Sequence, residues 1–337
     1  MTRTNLQLRL AARPAGLPRE SDWEFTEQPA GEPAEGEMLV RVLHLSVDPA
    51  MRGWMNAGKS YIPPVEIGAV MRAGAVGRVV ASRHPDFAEG DHVTGMFGVQ
   101  EYCLSDGRGV LRIDPEQAPL PVHLGVLGMP GMTAYFGLLD IGRPQKGETV
   151  VVSGAAGAVG SAVGQIARIH GCRVIGIAGG EAKCRHLTEE LGFDAAVDYK
   201  SEDVRQALRE HAPDGVDVYF DNVGGDILDA VLTRLARGAR IVICGAVSQY
   251  NNETAVRGPA NYMSLLVNRA SMTGMVVFDY AARYPEARED MARWLASGEL
   301  RAREHLVDGG VRAFPETLLG LFRGDNLGKL VLRVADA

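Results

Sequence analysis

The chain has 337 residues, a length that suits two ordinary domains better than one. Apolar side chains make up 46% of it, yet no segment reaches the ~18 apolar residues of a membrane span. With 35 basic and 42 acidic side chains, the net charge of −7 disfavours a nucleic-acid-binding surface. The N-terminus lacks the apolar core of a secretory signal, so we expect a soluble protein in the cytoplasm.

Cysteine and histidine positions give no pattern of metal ligands. The four cysteines are Cys103, Cys172, Cys184 and Cys244, and none stands in a Cys-x-x-Cys pair. We expect them to be small apolar residues kept reduced in the cell. The histidines do not cluster with cysteine or carboxylate side chains, so the sequence predicts no metal site. The absence of a G-x-S-x-G motif after a strand also leaves a serine hydrolase without support.

The first third of the chain predicts a mainly-β domain, barrel-like or sandwich-like, with little helix. Its apolar or alternating runs are short, and Gly, Pro and Asp residues bound them. The predicted strands are Leu6 to Ala12, Met38 to Leu45, Gly77 to Ser82 and Gln100 to Leu104.

From Glu148 onward, predicted strands and helices alternate. β-Branched apolar runs predict strands at Thr149 to Ser153, Arg173 to Ala178, Ala195 to Val197, Val216 to Phe220, Ala239 to Cys244 and Met272 to Val277. Helical spacing predicts helices at Ser161 to His170, Glu181 to Leu191, Val204 to His211, Ala230 to Ala236 and Tyr262 to Asn268. This α/β alternation predicts a doubly wound parallel sheet covered on both faces. The tail after a helix at Glu286 to Ala296 is too small for its own core, so we expect it to rejoin the first domain.

A glycine-rich turn joins the first strand of this alternating region to its first helix. Ser153 to Ser161 reads SGAAGAVGS, a G-x-x-G-x-x-G spacing. A pyrophosphate can approach backbone N–H groups at such a helix N-terminus only where no side chain obstructs it. A tight turn without a ligand gives a similar string, but the further strand–helix units favour a dinucleotide. We therefore predict that the cofactor contacts Ala156, Gly157, Ala158 and Val159.

The second strand of this region indicates which dinucleotide binds. NAD sites usually carry an Asp or Glu at this strand end to hold the ribose diol, whereas here the strand runs into Gly179 and Gly180. Lys183 follows in the next helix, and Tyr199 follows the third strand, where both can close over a 2′-phosphate. The sequence therefore favours NADP, with Gly179 leaving room for it, although the nearby Glu181 keeps NAD open.

The ends of the later strands predict the nicotinamide side of the site. In an open α/β sheet, ligands lie at the carboxyl ends of the strands. Small and polar residues follow the fourth and fifth predicted strands, and an apolar run ends the sixth. The cofactor candidates there are Asn222, Gly245, Ala246, Tyr250, Val276, Val277 and Phe278. An ordinary loop, or core packing for the last three, remains the alternative interpretation.

Several blocks of sequence, in chain order, resemble one known family. They are Val47 to Gly53 (VDPAMRG), Gly128 to Gly137 (GMPGMTAYFG), Ala155 to Ser161, Asp221 to Gly225 (DNVGG), Cys244 to Ala246 and Gly324 to Lys329 (GDNLGK). The likeness covers nearly the whole chain. It resembles the prostaglandin reductase, leukotriene hydroxydehydrogenase and alkenal double-bond reductase family, a zinc-independent branch of the medium-chain dehydrogenases/reductases.

The resemblance implies a domain organisation and a set of cofactor residues. It implies a GroES-like substrate domain over residues 1–122 plus 302–337, a Rossmann NADP-binding domain over 123–301, no metal, NADPH as hydride donor and a homodimer. Residues that match Lys183 and Tyr199 hold the 2′-phosphate in this family. Those that match Asn222, Cys244, Tyr250 and Asn326 line the cofactor site, and Met129 and Thr133 lie on the helix near the nicotinamide.

The chain departs from the family at two positions on the substrate side. Many relatives carry Tyr where this chain has Ala50, and mammalian-type members carry a substrate-side Tyr where Val267 stands. Tyr61 and Tyr262 are the candidate replacements as catalytic hydrogen-bond donors. We expect NADPH-dependent reduction of the C=C bond of an enone or enal, as in 2-alkenal or 15-oxoprostaglandin reduction. The alternatives are an NADPH:quinone reductase, an enoyl-thioester reductase and a catalytically idle NADPH-binding protein.

Overall fold

The computed structural model describes residues 3–336, which divide into two compact units. The first unit is Met1–Leu124 with Glu304–Ala337, and the second is Gly125–Arg303. Residues 1, 2 and 337 of the predicted first domain lie outside the described residues.

The strands of residues 3–336 are numbered in chain order: β1 Thr4–Leu10, β2 Trp23–Pro29, β3 Met38–Ser46, β4 Ala75–Ser82, β5 His92–Gly95, β6 Tyr102–Ser105, β7 Leu111–Arg112, β8 Thr149–Ser153, β9 Arg173–Ala178, β10 Ala195–Asp198, β11 Val216–Asp221, β12 Leu235–Ile243, β13 Ser271–Gly274, β14 Glu304–Val307 and β15 Lys329–Arg333. The helices are α1 Ala50–Trp54, α2 Met129–Phe136, α3 Ala158–Ile169, α4 Glu181–Arg185, α5 Val204–His211, α6 Gly225–Leu232, α7 Met263–Asn268, α8 Tyr284–Ser297 and α9 Phe314–Arg323.

The first unit is built mainly from β-strands, as the sequence predicts. Its larger sheet has the order β14-β15-β3-β4-β5-β7, with β6 also paired to β3, while β1 and β2 form an antiparallel pair. The C-terminal tail enters this sheet where β15 pairs with β3. The core of the unit includes Leu8, Met38, Val40 and Phe314, which are fully buried. The central strand β3 is buried along nearly its whole length, and α9 contributes Phe314 to the core.

The second unit is a doubly wound parallel sheet, and this confirms the predicted fold class. Its strand order is β10-β9-β8-β11-β12-β13, with every neighbouring pair parallel. The order runs outward from β8 in both directions, as in the Rossmann fold. Val150, Val151 and Val152 of β8 are all fully buried, as expected of a central strand with both faces covered.

Several element boundaries differ from the prediction. Those of α6 and β13 differ for a clear physical reason. The predicted helix over Ala230 to Ala236 is wrong in its second half, because α6 ends at Leu232 and β12 begins at Leu235. Leu235 keeps helical spacing in the sequence, but it pairs with Val216 of β11 and the sheet contact prevails.

The sixth predicted strand is too long at its carboxyl end. β13 ends at Gly274, and a 3₁₀ helix starts at Val277. The last hydrogen bond between the two strands runs from the Met275 N–H to the Ile243 carbonyl. After Ile243 the chain turns towards Asp221, whose carbonyl accepts the Cys244 N–H. Val276 and Val277 have strand propensity but no strand beside them, so the run cannot continue the sheet.

The helices of residues 3–336 include none that is both long enough and apolar enough to cross a membrane.

Candidate functional site

The strand order of the parallel sheet reverses between β8 and β11, and open α/β sheets bind ligands at that point. Ser153 ends β8, and its Oγ donates a hydrogen bond to Asp221 Oδ1, 2.9 Å away, at the end of β11. The Asn222 side chain donates to the Ser153 carbonyl at 2.7 Å, and the Asn222 N–H donates to Ser153 Oγ at 2.9 Å. Asn222, predicted as a cofactor residue, is therefore fixed at the switch point.

The glycine-rich turn lies beside this point and has the shape that a pyrophosphate requires. Gly157 caps α3, whose first N–H groups have no intrahelical partner. A Cβ on Gly157 would meet only the Gly154 carbonyl oxygen, at 3.2 Å, so this side of the turn is free of packing atoms. Gly157, Ala158 and Val159 are partly exposed, whereas Ala156 is buried. Backbone donors without an obstructing side chain fit a dinucleotide phosphate.

Gly160 has a different role within the same turn. A Cβ at this position would stand 2.4 Å from the Gly154 oxygen and 2.8 Å from the Ala155 Cα. Both are backbone atoms, which cannot move without opening the turn. Gly160 therefore allows α3 to pack closely against the turn that follows β8.

The residues predicted for the 2′-phosphate meet at the ends of β9 and β10. A Cβ on Gly179 would lie 2.8 Å from Tyr199 Oη, so the Tyr199 ring covers this glycine. The Lys183 N–H donates to the Gly180 carbonyl at 3.1 Å, which begins α4 at the same turn. Gly179, Lys183 and Tyr199 are therefore grouped at one corner of the sheet, where a cation suits a phosphate.

Asp198 holds the backbone of this corner in place, although no sequence motif indicated it. Its Oδ1 accepts hydrogen bonds from the N–H groups of Gly180 at 2.8 Å and Lys200 at 3.0 Å. The Gly180 N–H is the main reason that the pKa of Asp198 lies below its usual value. A carboxylate at the end of the third strand was the signal available in the sequence.

The segment after β12 lies against the Asn222 turn. The N–H groups of Val247 and Ser248 donate to the carbonyls of Asn222 and Val223, each at 3.2 Å. Tyr250 folds back so that its Oη accepts the Ala246 N–H at 3.2 Å and lies 2.9 Å from where a Gly245 Cβ would stand. The structure thus brings Gly245, Ala246 and Tyr250 together with Asn222, as a continuous lining for the nicotinamide half requires.

Tyr284, which no sequence pattern indicates, contacts two of the residues predicted for the nicotinamide side of the site. Tyr284 Oη donates to the Val277 carbonyl at 3.0 Å and lies 3.7 Å from Met129 Sδ. Thr133 Oγ1 donates to the Met129 carbonyl one turn earlier in α2. Met129 and Val277 are therefore neighbours in this unit. Tyr284 is 155 residues from Met129, so no local pattern could have indicated the contact.

Comparison with known proteins gives relatives along the whole chain. A model of the N-terminal domain of oxidoreductase matches residues 6–113, and one described as zinc-binding dehydrogenase matches 158–297. NADPH-dependent curcumin reductase of Escherichia coli (strain K12) is 45% identical over 97% of this chain and 96% of its own. The NADP(+)-dependent 2-alkenal reductase of Nicotiana tabacum is 40% identical over 98% of each chain. The crystal structure of CurA from Vibrio vulnificus in complex with NADPH is 46% identical, with a TM-score of 0.93 over 98% of this chain and 100% of that one.

The chain belongs to the medium-chain dehydrogenase/reductase family of oxidoreductases. Its relatives include mammalian prostaglandin reductase 1 as well as the curcumin and alkenal reductases, which confirms the resemblance found in the sequence blocks.

In this medium-chain dehydrogenase/reductase, Cys244 is held at the end of β11 through its backbone. Its N–H donates to the Asp221 carbonyl at 2.9 Å. Burial, and then the charge of Asp221, raise the pKa of the thiol to about 12. A thiol that stays protonated at neutral pH is a weak nucleophile and a weak metal ligand. Cys244 therefore contributes shape to the site and no thiolate chemistry.

The first unit holds Asn326, which is buried and donates to the Gly328 carbonyl at 2.8 Å. Lys329 follows it, also buried, with its Nζ 2.9 Å from both the Val47 carbonyl and Asp48 Oδ1. These contacts fix the turn that leads into α1, where Ala50 stands. The family blocks VDPAMRG and GDNLGK are therefore joined by an ion pair whose lysine is buried and whose aspartate is partly exposed.

Tyr61 and Tyr262 are both more exposed than buried. Tyr61, in the first unit, is 55% exposed, and Tyr262, in the second, is 59% exposed. Tyr262 directly precedes α7, and its neighbour Asn261 is anchored to Asp229 of α6 by two hydrogen bonds. The role of either tyrosine as a catalytic donor stays a prediction.

Metal ligands do not converge in the part of the chain that the structure describes. Within residues 3–336, no three His, Cys, Asp or Glu side chains are placed to hold one ion.

Proposed function

We propose that this chain is an NADPH-dependent reductase of the carbon–carbon double bond of small α,β-unsaturated ketones or aldehydes. The observation that carries the proposal is the joint placement of the Gly157 turn, the Lys183 and Tyr199 corner and the Asn222 turn at the carboxyl edge of one parallel sheet. Relatives named for NADPH-dependent reduction of curcumin and 2-alkenals, alike over nearly the whole chain, support it.

The residues of the site divide the work of holding the cofactor. Backbone N–H groups at the start of α3 would bind the pyrophosphate, and Lys183 with Tyr199 would bind the 2′-phosphate. Asn222, Gly245, Ala246 and Tyr250 would line the nicotinamide half, with Met129, Val277 and Phe278 as its apolar wall. NADPH bound there supplies the hydride equivalent that reduces the β-carbon of the substrate.

The protein itself must stabilise the charge that develops on the substrate oxygen. An enolate needs a hydrogen-bond donor, and the hydroxyl of Tyr61 or Tyr262 is the proposed donor. The same hydroxyl, or water, returns a proton to the α-carbon. No strong base is required, which fits a site without a His and carboxylate pair.

The expected result of an assay with purified protein is loss of reduced-nicotinamide absorbance with an aliphatic enone and a hydroxyalkenal. A saturated aldehyde should give no turnover, and NADH should be a poorer donor than NADPH. Turnover of a quinone alone would instead make this a quinone reductase, and NADPH binding without any turnover would indicate an idle binder. In the same assay, Tyr61→Phe or Tyr262→Phe should lower kcat about tenfold or more if that hydroxyl is the donor.

We also propose that the chain forms a homodimer through the β13 edge of the second unit. β13 is the last strand of the sheet, and all four of its residues are exposed. Leu266 and Val267 of the preceding α7 are 70% and 65% exposed. An open edge beside exposed apolar side chains suits isologous pairing with a second copy.

Light scattering after size exclusion should therefore give twice the mass of the chain. Leu266→Asp is expected to halve that mass. Leu17→Asp, at an exposed leucine of the first unit, serves as the matched control and should leave it unchanged. A monomeric wild-type chain would contradict the proposal.

A further inference from the structure

Asp221 is a buried carboxylate at the switch point that the proposed chemistry does not use. It is 1% exposed and ends β11. Its Oδ1 accepts four hydrogen bonds, from Ser153 Oγ at 2.9 Å, Tyr219 Oη at 2.7 Å, and the N–H groups of Val223 at 3.0 Å and Gly224 at 2.9 Å. Its Oδ2 is buried and has no partner among residues 3–336. A half-satisfied buried carboxylate is costly, so packing stability alone does not account for it.

The contacts of Asp221 join the three segments that line the proposed nicotinamide half. Its side chain holds the end of β8 through Ser153, and it holds the turn after β11 through the N–H groups of Val223 and Gly224. Its carbonyl accepts the N–H groups of Cys244 at 2.9 Å and Gly245 at 3.1 Å. One residue therefore sets the relative position of all three.

Tyr219 supplies a buried hydroxyl donor to this network. Burial, and then the negative charge of Asp221, hold the pKa of Tyr219 well above its usual value. A hydroxyl that keeps its proton can donate to Asp221 Oδ1, as the 2.7 Å contact between the two atoms requires. The N–H groups that converge on Oδ1 cannot act as acceptors, so the carboxylate orientation is fixed as well.

The result of this network is a fixed orientation of Asn222. Its N–H and its side-chain amide are both committed to Ser153, at 2.9 Å and 2.7 Å. Because the amide NH₂ is committed to a carbonyl, the Asn222 Oδ1 atom is left to act as an acceptor. A donor group on the cofactor, such as the nicotinamide carboxamide or a ribose hydroxyl, is the chemistry that this atom can recognise.

We propose that Asp221 is the positioning residue for the nicotinamide half of the cofactor, acting through Asn222 and the 244–246 segment. It touches neither the reacting atoms nor the adenosine end. The inference rests on the proposed function, because it requires NADPH to bind at this edge of the sheet.

The chain offers a matched control on the same strand. Asp217 Oδ2 accepts the Thr149 N–H at 2.8 Å, so it also links β11 to β8, but at the opposite end of the sheet. Asp221→Asn and Asp217→Asn each remove one charge and weaken one contact between the same two strands. Only the first lies at the ligand edge.

The experiment measures binding of two probes, NADPH and 2′,5′-ADP, to purified wild type and both variants by calorimetry. Asp221→Asn should raise the Kd for NADPH about tenfold and leave that for 2′,5′-ADP within about twofold. Asp217→Asn should leave both within about twofold, whatever it does to the melting temperature.

Other outcomes are equally informative. Equal weakening of both probes in Asp221→Asn, or no weakening of either, would overturn the positioning role. Failure of the wild type to bind NADPH would instead reject the proposed function. If Asp221→Asn does not fold, Tyr219→Phe removes one of the four donors, and the NADPH-only loss should then be about threefold.

Discussion

Lys183→Ala is expected to weaken NADPH binding about 30-fold and to change NADH binding less than about twofold. Lys183 lies in the first turn of α4, at the corner where Gly179 and Tyr199 meet, and NADPH differs from NADH only by the 2′-phosphate proposed to bind there. A hydrogen bond to a charged group is worth about 1.5–3 kcal/mol, which sets the size of the effect. Titration of both reduced cofactors against the variant measures it directly.

Arg185→Ala is the control from the same helix. Arg185 is directed to Glu181, whose carboxylate is 3.9 Å away, and both side chains are largely exposed. Because this pair is at the surface, its loss should change neither cofactor's Kd by more than about twofold. If Lys183→Ala weakens NADH as strongly as NADPH, the lysine supports the turn and does not bind the phosphate. An effect of Arg185→Ala equal to that of Lys183→Ala would mean that the phosphate lies against the other face of α4.

The elements that the sequence predicts to the residue are those with a complete local signal. The strands Thr149–Ser153 and Arg173–Ala178 are uniform apolar runs between turn residues, and the structure keeps both bounds. The helix Val204–His211 also keeps its predicted bounds, because the Asp203 side chain caps it by accepting the Gln206 N–H. In such elements the local sequence preference and the global fold agree.

Elements decided by a distant partner were not predictable from local patterns. Leu235 lies in a strand because it pairs with Val216 of β11. Val277 lies outside β13 because no neighbouring strand continues beside it. The antiparallel order of the first unit likewise depends on pairings such as Leu332 with Leu45, far apart in sequence. Propensity and periodicity describe single segments, and they contain no information on which strand comes next to which.

The candidate site also contains residues that local motifs indicate and residues whose roles depend on distant partners. Motifs indicated the residues that are proposed to offer backbone or a single side chain to the cofactor, such as Gly157 and Asn222. They did not predict the residues that hold those in place. Asp198, Asp221 and Tyr284 contact partners far away in the sequence, and these contacts exist only in the folded chain.

Gly160→Ala is expected to impair folding, whereas Gly157→Ala is expected to impair cofactor binding, although both glycines lie in the same turn. The Gly160 Cβ would stand 2.4 Å from the Gly154 oxygen, a backbone contact that only a displaced turn can relieve. Overpacking against atoms that cannot move costs about 3 kcal/mol or more, so this variant should melt far below wild type or fail to fold. Thermal unfolding followed by circular dichroism measures the loss.

Gly157→Ala should instead fold with a melting temperature close to that of wild type. Its Cβ would meet a single atom at 3.2 Å, and the φ of −87° suits alanine. The new methyl group would project where the backbone must approach the pyrophosphate, so the Kd for NADPH should rise about tenfold or more. Gly258→Ala, in the same unit and with no atom within 4 Å of its Cβ, should change neither quantity. Normal NADPH binding by a folded Gly157→Ala protein would place the pyrophosphate away from this turn and reject the site, because no cofactor phosphate could lie against that backbone with a methyl group in between.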